Sequence, residues 1–133
     1  MRQLSLLLIM ILCLSGCTLD DNENNNYEMS SQADKDNLEN LKKSGVDFNK
    51  EQLVDFQISV DSENNGIKIN EKMANKGYKC TLQKDYEGDR WTSECSKEII
   101  LEFDTIVNIQ EEINKISEPY NGFSDGWGMI VKP

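Results

Sequence analysis

The side chains best equipped for chemistry in this sequence are four cysteines, Cys13, Cys17, Cys80 and Cys95, and a large surplus of carboxylates. Neither set builds a catalytic group. The chain contains no histidine, so a Ser-His or Cys-His nucleophile pair cannot be assembled. Two cysteines without histidine do not make a metal site either. Adjacent acids such as Asp20-Asp21 and Glu111-Glu112 point in different directions on a helix and read as solvated surface. Gly126 and Gly128 belong to a strand pattern, not to a phosphate-cradling loop. The expectation is a protein without enzymatic activity, without a metal and without a cofactor.

Cys17 has a chemistry of its own. Arg2 precedes an apolar run, Leu4–Leu14, which is too short to span a bilayer but the right length for the core of a signal peptide. The run closes on Leu14-Ser15-Gly16-Cys17, which resembles a bacterial lipobox. Small residues at 15 and 16 let the backbone enter a narrow peptidase site, and the Cys17 thiol is the nucleophile that takes the diacylglyceryl group. Residues 1–16 are therefore expected to be a lipoprotein signal peptide, with Cys17 the lipid-bearing first residue of the mature chain. Thr18 stands where an inner-membrane-retention aspartate would sit, which points to the outer membrane.

Removal of residues 1–16 takes away Arg2 and no acid, leaving 13 Lys+Arg against 24 Asp+Glu and a net charge of −11. Such a chain is repelled by nucleic acid and anionic lipid, and suits a basic partner or no charged partner at all. About 117 residues suit one small domain. Cys13 leaves with the signal peptide and Cys17 is lipidated, so Cys80 and Cys95 remain. In an exported, oxidising compartment they read as one disulfide.

The elements that position these groups follow from periodicity. Residues 17–32 are polar, acidic and rich in Asn, which reads as a lipidated start and flexible tether before a domain at 33–133. Ser31-x-x-Asp34 resembles a capping box ahead of a helix over 33–43, with Leu38 and Leu41 inward. Val54, Phe56, Ile58 and Val60 alternate with polar residues as a strand. Asp61 or Ser62 caps a second helix, with Ile69, Met73 and Ala74 inward and Gly77 at its end. In the hairpin that follows, Tyr78, Cys80 and Leu82 share one face, as do Trp91, Ser93 and Cys95; if Cys80 pairs directly with Cys95, Leu82 faces Ser93 and the two alternations agree. Ile106, Ile109, Ile113 and Ile116 mark a third helix capped by Asp104 or Thr105 and stopped by Pro119. A last strand spans Phe123–Val131. After the first helix the order is β-α-β-β-α-β, an α+β, ferredoxin-like sandwich with two helices on one face of a four-stranded antiparallel sheet.

The segment Tyr120-Asn121-Gly122-Phe123-Ser124-Asp125-Gly126-Trp127-Gly128 resembles the closing signature of the regulator of ribonuclease activity B family, the ribonuclease E inhibitors. Leu41-Lys42-Lys43-Ser44-Gly45-Val46-Asp47, Val54-Asp55-Phe56 and Gly77-Tyr78 are also similar, so the resemblance covers roughly residues 36–131. It implies a ferredoxin-like domain that acts by binding another protein. A restrainer of ribonuclease E must be cytoplasmic, whereas this chain reads as exported, so the resemblance carries the fold and not that target.

Trp127 is expected as a core ring beneath the helices with its N–H satisfied nearby. Gly126 and Gly128 then fall on the opposite face, where bare backbone permits close approach by another chain or a bend in the sheet. That face also carries Asp55, Gln57, Ser59, Lys79, Thr81, Gln83, Thr92 and Glu94. Asp125, Gly126, Gly128, Gln57 and Thr92 are the candidate protein-binding residues. The expected role is inhibitor or immunity-type partner of an exported protein; the competing one is a structural envelope lipoprotein without a regulatory target.

Overall fold

The strongest alternation in the chain, Val54-Phe56-Ile58-Val60, forms the inner face of strand β1 (Gln52–Val60), and all four side chains are 0 % exposed. The computed structural model describes residues 21–131. The signal segment 1–16 and Cys17 lie outside the described residues. Before β1 runs helix α1 (Asp21–Lys43); after it come α2 (Glu63–Ala74), β2 (Lys79–Lys84), β3 (Trp91–Ile99), α3 (Phe103–Ser117), a 3-10 turn at Glu118–Tyr120 and β4 (Gly122–Gly128). The sheet order is β2-β3-β1-β4 with every neighbour antiparallel. This is the ferredoxin-like arrangement, with β1 and β3 at its centre.

Ile69 and Met73 of α2 and Ile106 and Ile113 of α3 close over the inner face of the sheet and are essentially buried. Leu38 and Leu41 of α1 join the same core. The hairpin register agrees with the alternation. Cys80 stands opposite Cys95 and Leu82 opposite Ser93, and a Cys80–Cys95 disulfide forms at a Cα separation of 4.1 Å. Ser93 is buried among apolar side chains, and its hydroxyl donates to the Asn70 side chain of α2. Two cations beside the core, Lys97 over Tyr78 and Lys35 over Phe103, shield ring faces from water.

Several boundaries differ from the sequence expectation. Residues 21–32, expected as part of the tether, belong to α1. No Gly or Pro occurs from Thr18 to Ser44, so a helix nucleated where Leu38 and Leu41 pack extends backwards without a second nucleation cost. Ser31 therefore lies inside the helix and is not its cap, and Asp34 is free for tertiary bonding. α3 begins at Phe103, with Glu102 at the cap position and no side-chain cap bond; Asp104 lies in the first turn, where it favours the helix dipole. In α2, Ser62 caps as expected, but Ala74 is exposed and Gly66 is buried in its stead. A Cβ at Gly66 would stand 2.6 Å from Leu82 Cδ1, so any side chain there would force Leu82 to move. β4 ends at Gly128, three residues short of Val131, because its ladder with β1 stops at Asp55.

The disulfide closes a 15-residue separation, for which chain entropy gives about 3 kcal/mol. Denaturing thiol labelling of the unreduced protein, mapped by peptide, is expected to find neither Cys80 nor Cys95 free. Reduction is expected to lower the unfolding free energy by about that amount. Stoichiometric labelling of both residues refutes the pairing.

Candidate functional site

β4 is the edge strand that carries most of the candidate residues, and it is fixed from beneath. Trp127 pairs with Phe56 across the ladder, on the helix side of the sheet. Its indole Nε1 donates to Asp34 Oδ1 of α1 at 2.9 Å, while Gln110 Nε2 of α3 donates to Asp34 Oδ2 at 2.9 Å. Asp34 is only 8 % exposed, and a carboxyl group so placed is tolerable because both oxygens are used. At the other end of the strand, Asn121 adopts a left-handed backbone (φ 56°) and donates to Asp61 Oδ2 at 3.1 Å. Hydrogen bonds from the side chains of Asn65, first, and Asn121 hold the Asp61 carboxyl below its ordinary pKa, against a small desolvation. Asn114 of α3 accepts the Ser124 backbone N–H at 2.7 Å.

Among the described residues no helix crosses the opposite side of the sheet, and register arranges the side chains there in rows. One row runs Gly128, Asp55, Ser96, Lys79; the next Gly126, Gln57, Glu94, Thr81; the third Phe123, Ser59, Thr92, Gln83. All eight polar residues expected on this face are there. Between Gln57 and Ile58 the β1–β4 register shifts, which leaves Asp125 without a partner. This bulge needs Gly126, whose φ is +122°. A Cβ on Gly128 would meet nothing within 4 Å, so its backbone is open to whatever lies above.

Gln57, Asp125, Gly126 and Gly128 are thus brought together on adjoining strands. Thr92 shares the face but lies on β3, and its hydroxyl donates to Asp85 Oδ1 at 2.5 Å. It braces the base of the hairpin loop. Ser96 Oγ likewise donates to Asp55 Oδ1 at 2.5 Å.

Three residues of the face escaped the sequence reading. Arg90 donates from Nε to Ser59 Oγ at 2.7 Å and lays its guanidinium 5.1 Å from the centre of the Phe123 ring. Phe123 comes to this face only because the bulge inverts the alternation of β4, a shift invisible in sequence. Leu53 is 56 % exposed, and its signal was legible: it is an apolar residue in the polar phase of β1. Beside it, Val46, Met129, Ile130 and Val131 line a groove of about 500 Å³ together with Asp47, Glu51, Asp55 and Glu98. Among the described residues no cluster of His, Cys, Asp or Glu is placed to hold a metal ion.

A family model described as regulator of ribonuclease activity B matches residues 31–129, from the middle of α1 to the residue after β4. No curated protein matches the chain.

The Asp34 hub yields a stability prediction. Asp34→Ala strands the Trp127 and Gln110 donors and is expected to cost about 1–3 kcal/mol in urea unfolding. Asp34→Asn keeps an acceptor for Trp127 and is expected to cost less. Equal and negligible losses in both variants contradict the role given to this carboxyl group.

Proposed function

The chain belongs to the regulator of ribonuclease activity B family, and from that membership we propose that it acts by binding another protein through the open face of its sheet. The proposed setting is the cell envelope, where lipidated Cys17 tethers the domain and the partner is an exported protein that the domain inhibits or neutralises. Ribonuclease E, the protein restrained by cytoplasmic members, is not the proposed target. The observation that carries the reading is a sheet face that no described helix covers, with bare backbone at Gly128 and a bulged Gly126 beside Gln57. Backbone without side chains lets a partner approach an edge strand closely, and the acidic chain favours a basic partner.

Two outcomes test this. Cys17→Ser is expected to leave the precursor unprocessed and to abolish partitioning into the detergent phase; normal processing of that variant refutes the anchor. Gly128→Arg places a bulky cation in open space and is expected to leave thermal unfolding nearly unchanged while reducing, by about tenfold or more, the retention of proteins captured from envelope extract. Undiminished retention excludes the open face at β4.

A further inference from the structure

We propose that the groove beside Leu53 receives a cationic, amphipathic segment of the partner protein, an inference that rests on the protein-binding reading above and names the chemistry of its site. One wall of the groove is the α1–β1 connection at Val46 and Asp47; the other is the segment that follows β4, at Met129 and Ile130. Its apolar centre is open to water: Leu53 is 56 % and Ile130 80 % exposed. Val46, Met129 and Val131 line the same groove, so these side chains form one contiguous apolar surface and not scattered single residues.

Charge selects the occupant. The groove lining holds four carboxylates, Asp47, Glu51, Asp55 and Glu98, and no Lys or Arg among the described residues. Asp47 and Asp55 accept hydrogen bonds from Asn49 N–H and the Ser96 hydroxyl, neither of which cancels their charge. Neither Glu51 nor Glu98 takes part in an ion pair among the described residues. An acidic rim around an aliphatic floor repels an anionic lipid surface, and it repels a second copy of a chain with net charge −10. It attracts a segment that offers an aliphatic or aromatic residue to Leu53 and Ile130 and Lys or Arg side chains to Glu51, Asp55 and Glu98. The apolar contact supplies affinity, and the carboxylates supply orientation and speed of encounter. The same row of the sheet continues from Asp55 to Gly128, so a segment seated in the groove runs on across the bare backbone of β4.

The test uses the full chain in phosphatidylcholine nanodiscs and three labelled synthetic peptides: an amphipathic Lys/Leu peptide, its Glu/Leu counterpart and an equally charged Lys/Ser peptide. Fluorescence anisotropy, with empty nanodiscs subtracted, is expected to show binding of the Lys/Leu peptide about tenfold or more tighter than of the other two. Leu53→Ser, and separately Glu51→Lys with Glu98→Lys, are each expected to weaken it about tenfold. Raising NaCl from about 0.05 to about 0.5 M is expected to weaken binding to the unmodified chain and to have little effect on the charge-reversed variant. Equal binding of the Glu/Leu peptide, or unchanged affinity in both variants, overturns the proposal. A dimer in sedimentation that Leu53→Ser dissolves overturns it in favour of self-association. If envelope proteins are lost with Gly128→Arg but retained by both groove variants, the groove assignment fails while the open-face reading stands; if all three variants retain them, both fail.

Discussion

Asp34 holds together three parts of the chain that are far apart in sequence. Asp34 is buried, and its two carboxyl oxygens accept from the indole N–H of Trp127 on β4 and the amide of Gln110 on α3. Leaving such a group unbonded in the interior is costly, so each of the three side chains constrains the other two. α1 lies outside the β-α-β-β-α-β frame. Leu38 and Leu41 attach it by apolar burial, which is non-directional; Asp34 fixes its rotation and register against α3 and the last strand. β4, at the sheet edge, gains in the same way. It has β1 on one side only, and its ladder is interrupted by the bulge at Asp125, so the anchored Trp127 ring compensates for pairing that an edge strand lacks.

That anchoring from below is what allows β4 to be so bare above. A strand containing three glycines, Gly122, Gly126 and Gly128, has weak intrinsic preference for extended structure. The Trp127 ring on one face, together with Asn114 and Asn121 at the entry, secures it without any side chain on the other face at Gly126 or Gly128. A smooth open face and a well-held strand are thereby compatible. The rest of that face is tied by short polar bonds, Ser96 to Asp55, Arg90 to Ser59 and Thr92 to Asp85, which order the side chains while leaving them hydrophilic.

What could be read in the sequence was whatever strict periodicity governs. The four inward residues of β1 and the isoleucine spacing of α3 follow from periods of 2 and 3.6, which burial enforces; alternation puts Cys80 and Cys95 on one face, and their pairing then sets Leu82 opposite Ser93. The polar face of the sheet followed from the same alternation. Local signals misled where tertiary bonding overrode them. Ser31-x-x-Asp34 has the form of a helix start, yet Asp34 faces inward and the helix passes through. Ala74 fits an apolar stripe, yet α2 turns Gly66 towards Leu82 instead. The bulge at Asp125 adds one residue to β4 and moves Phe123 to the outer face, and no composition rule announces a bulge. Thr92 was placed on the correct face, but its bond to Asp85 depends on how the 84–90 loop closes. Cys17 and the segment before it rest on sequence alone.

The same hydrogen bond that positions β4 also bears on the groove at the edge of the open face. α1 ends at Lys43, and Gly45, with φ +89°, turns the chain so that Val46 N–H bonds back to Leu41 O at 3.2 Å and Gly45 N–H to Lys42 O at 3.1 Å. This is a Schellman closure, which sets the direction in which the chain leaves the helix, and the residues it delivers are one wall of the groove. The other wall, Met129 and Ile130, begins immediately after Gly128, one residue beyond the Trp127 that Asp34 holds. α1 and β4 therefore lead into opposite walls, and Asp34 is the direct bond between them. Leu41 adds to this tie, since its carbonyl closes the helix and its side chain lies in the core. The placement of the acidic rim around Leu53 is thus a consequence of how the helix that precedes the sheet is docked, not of the sheet alone.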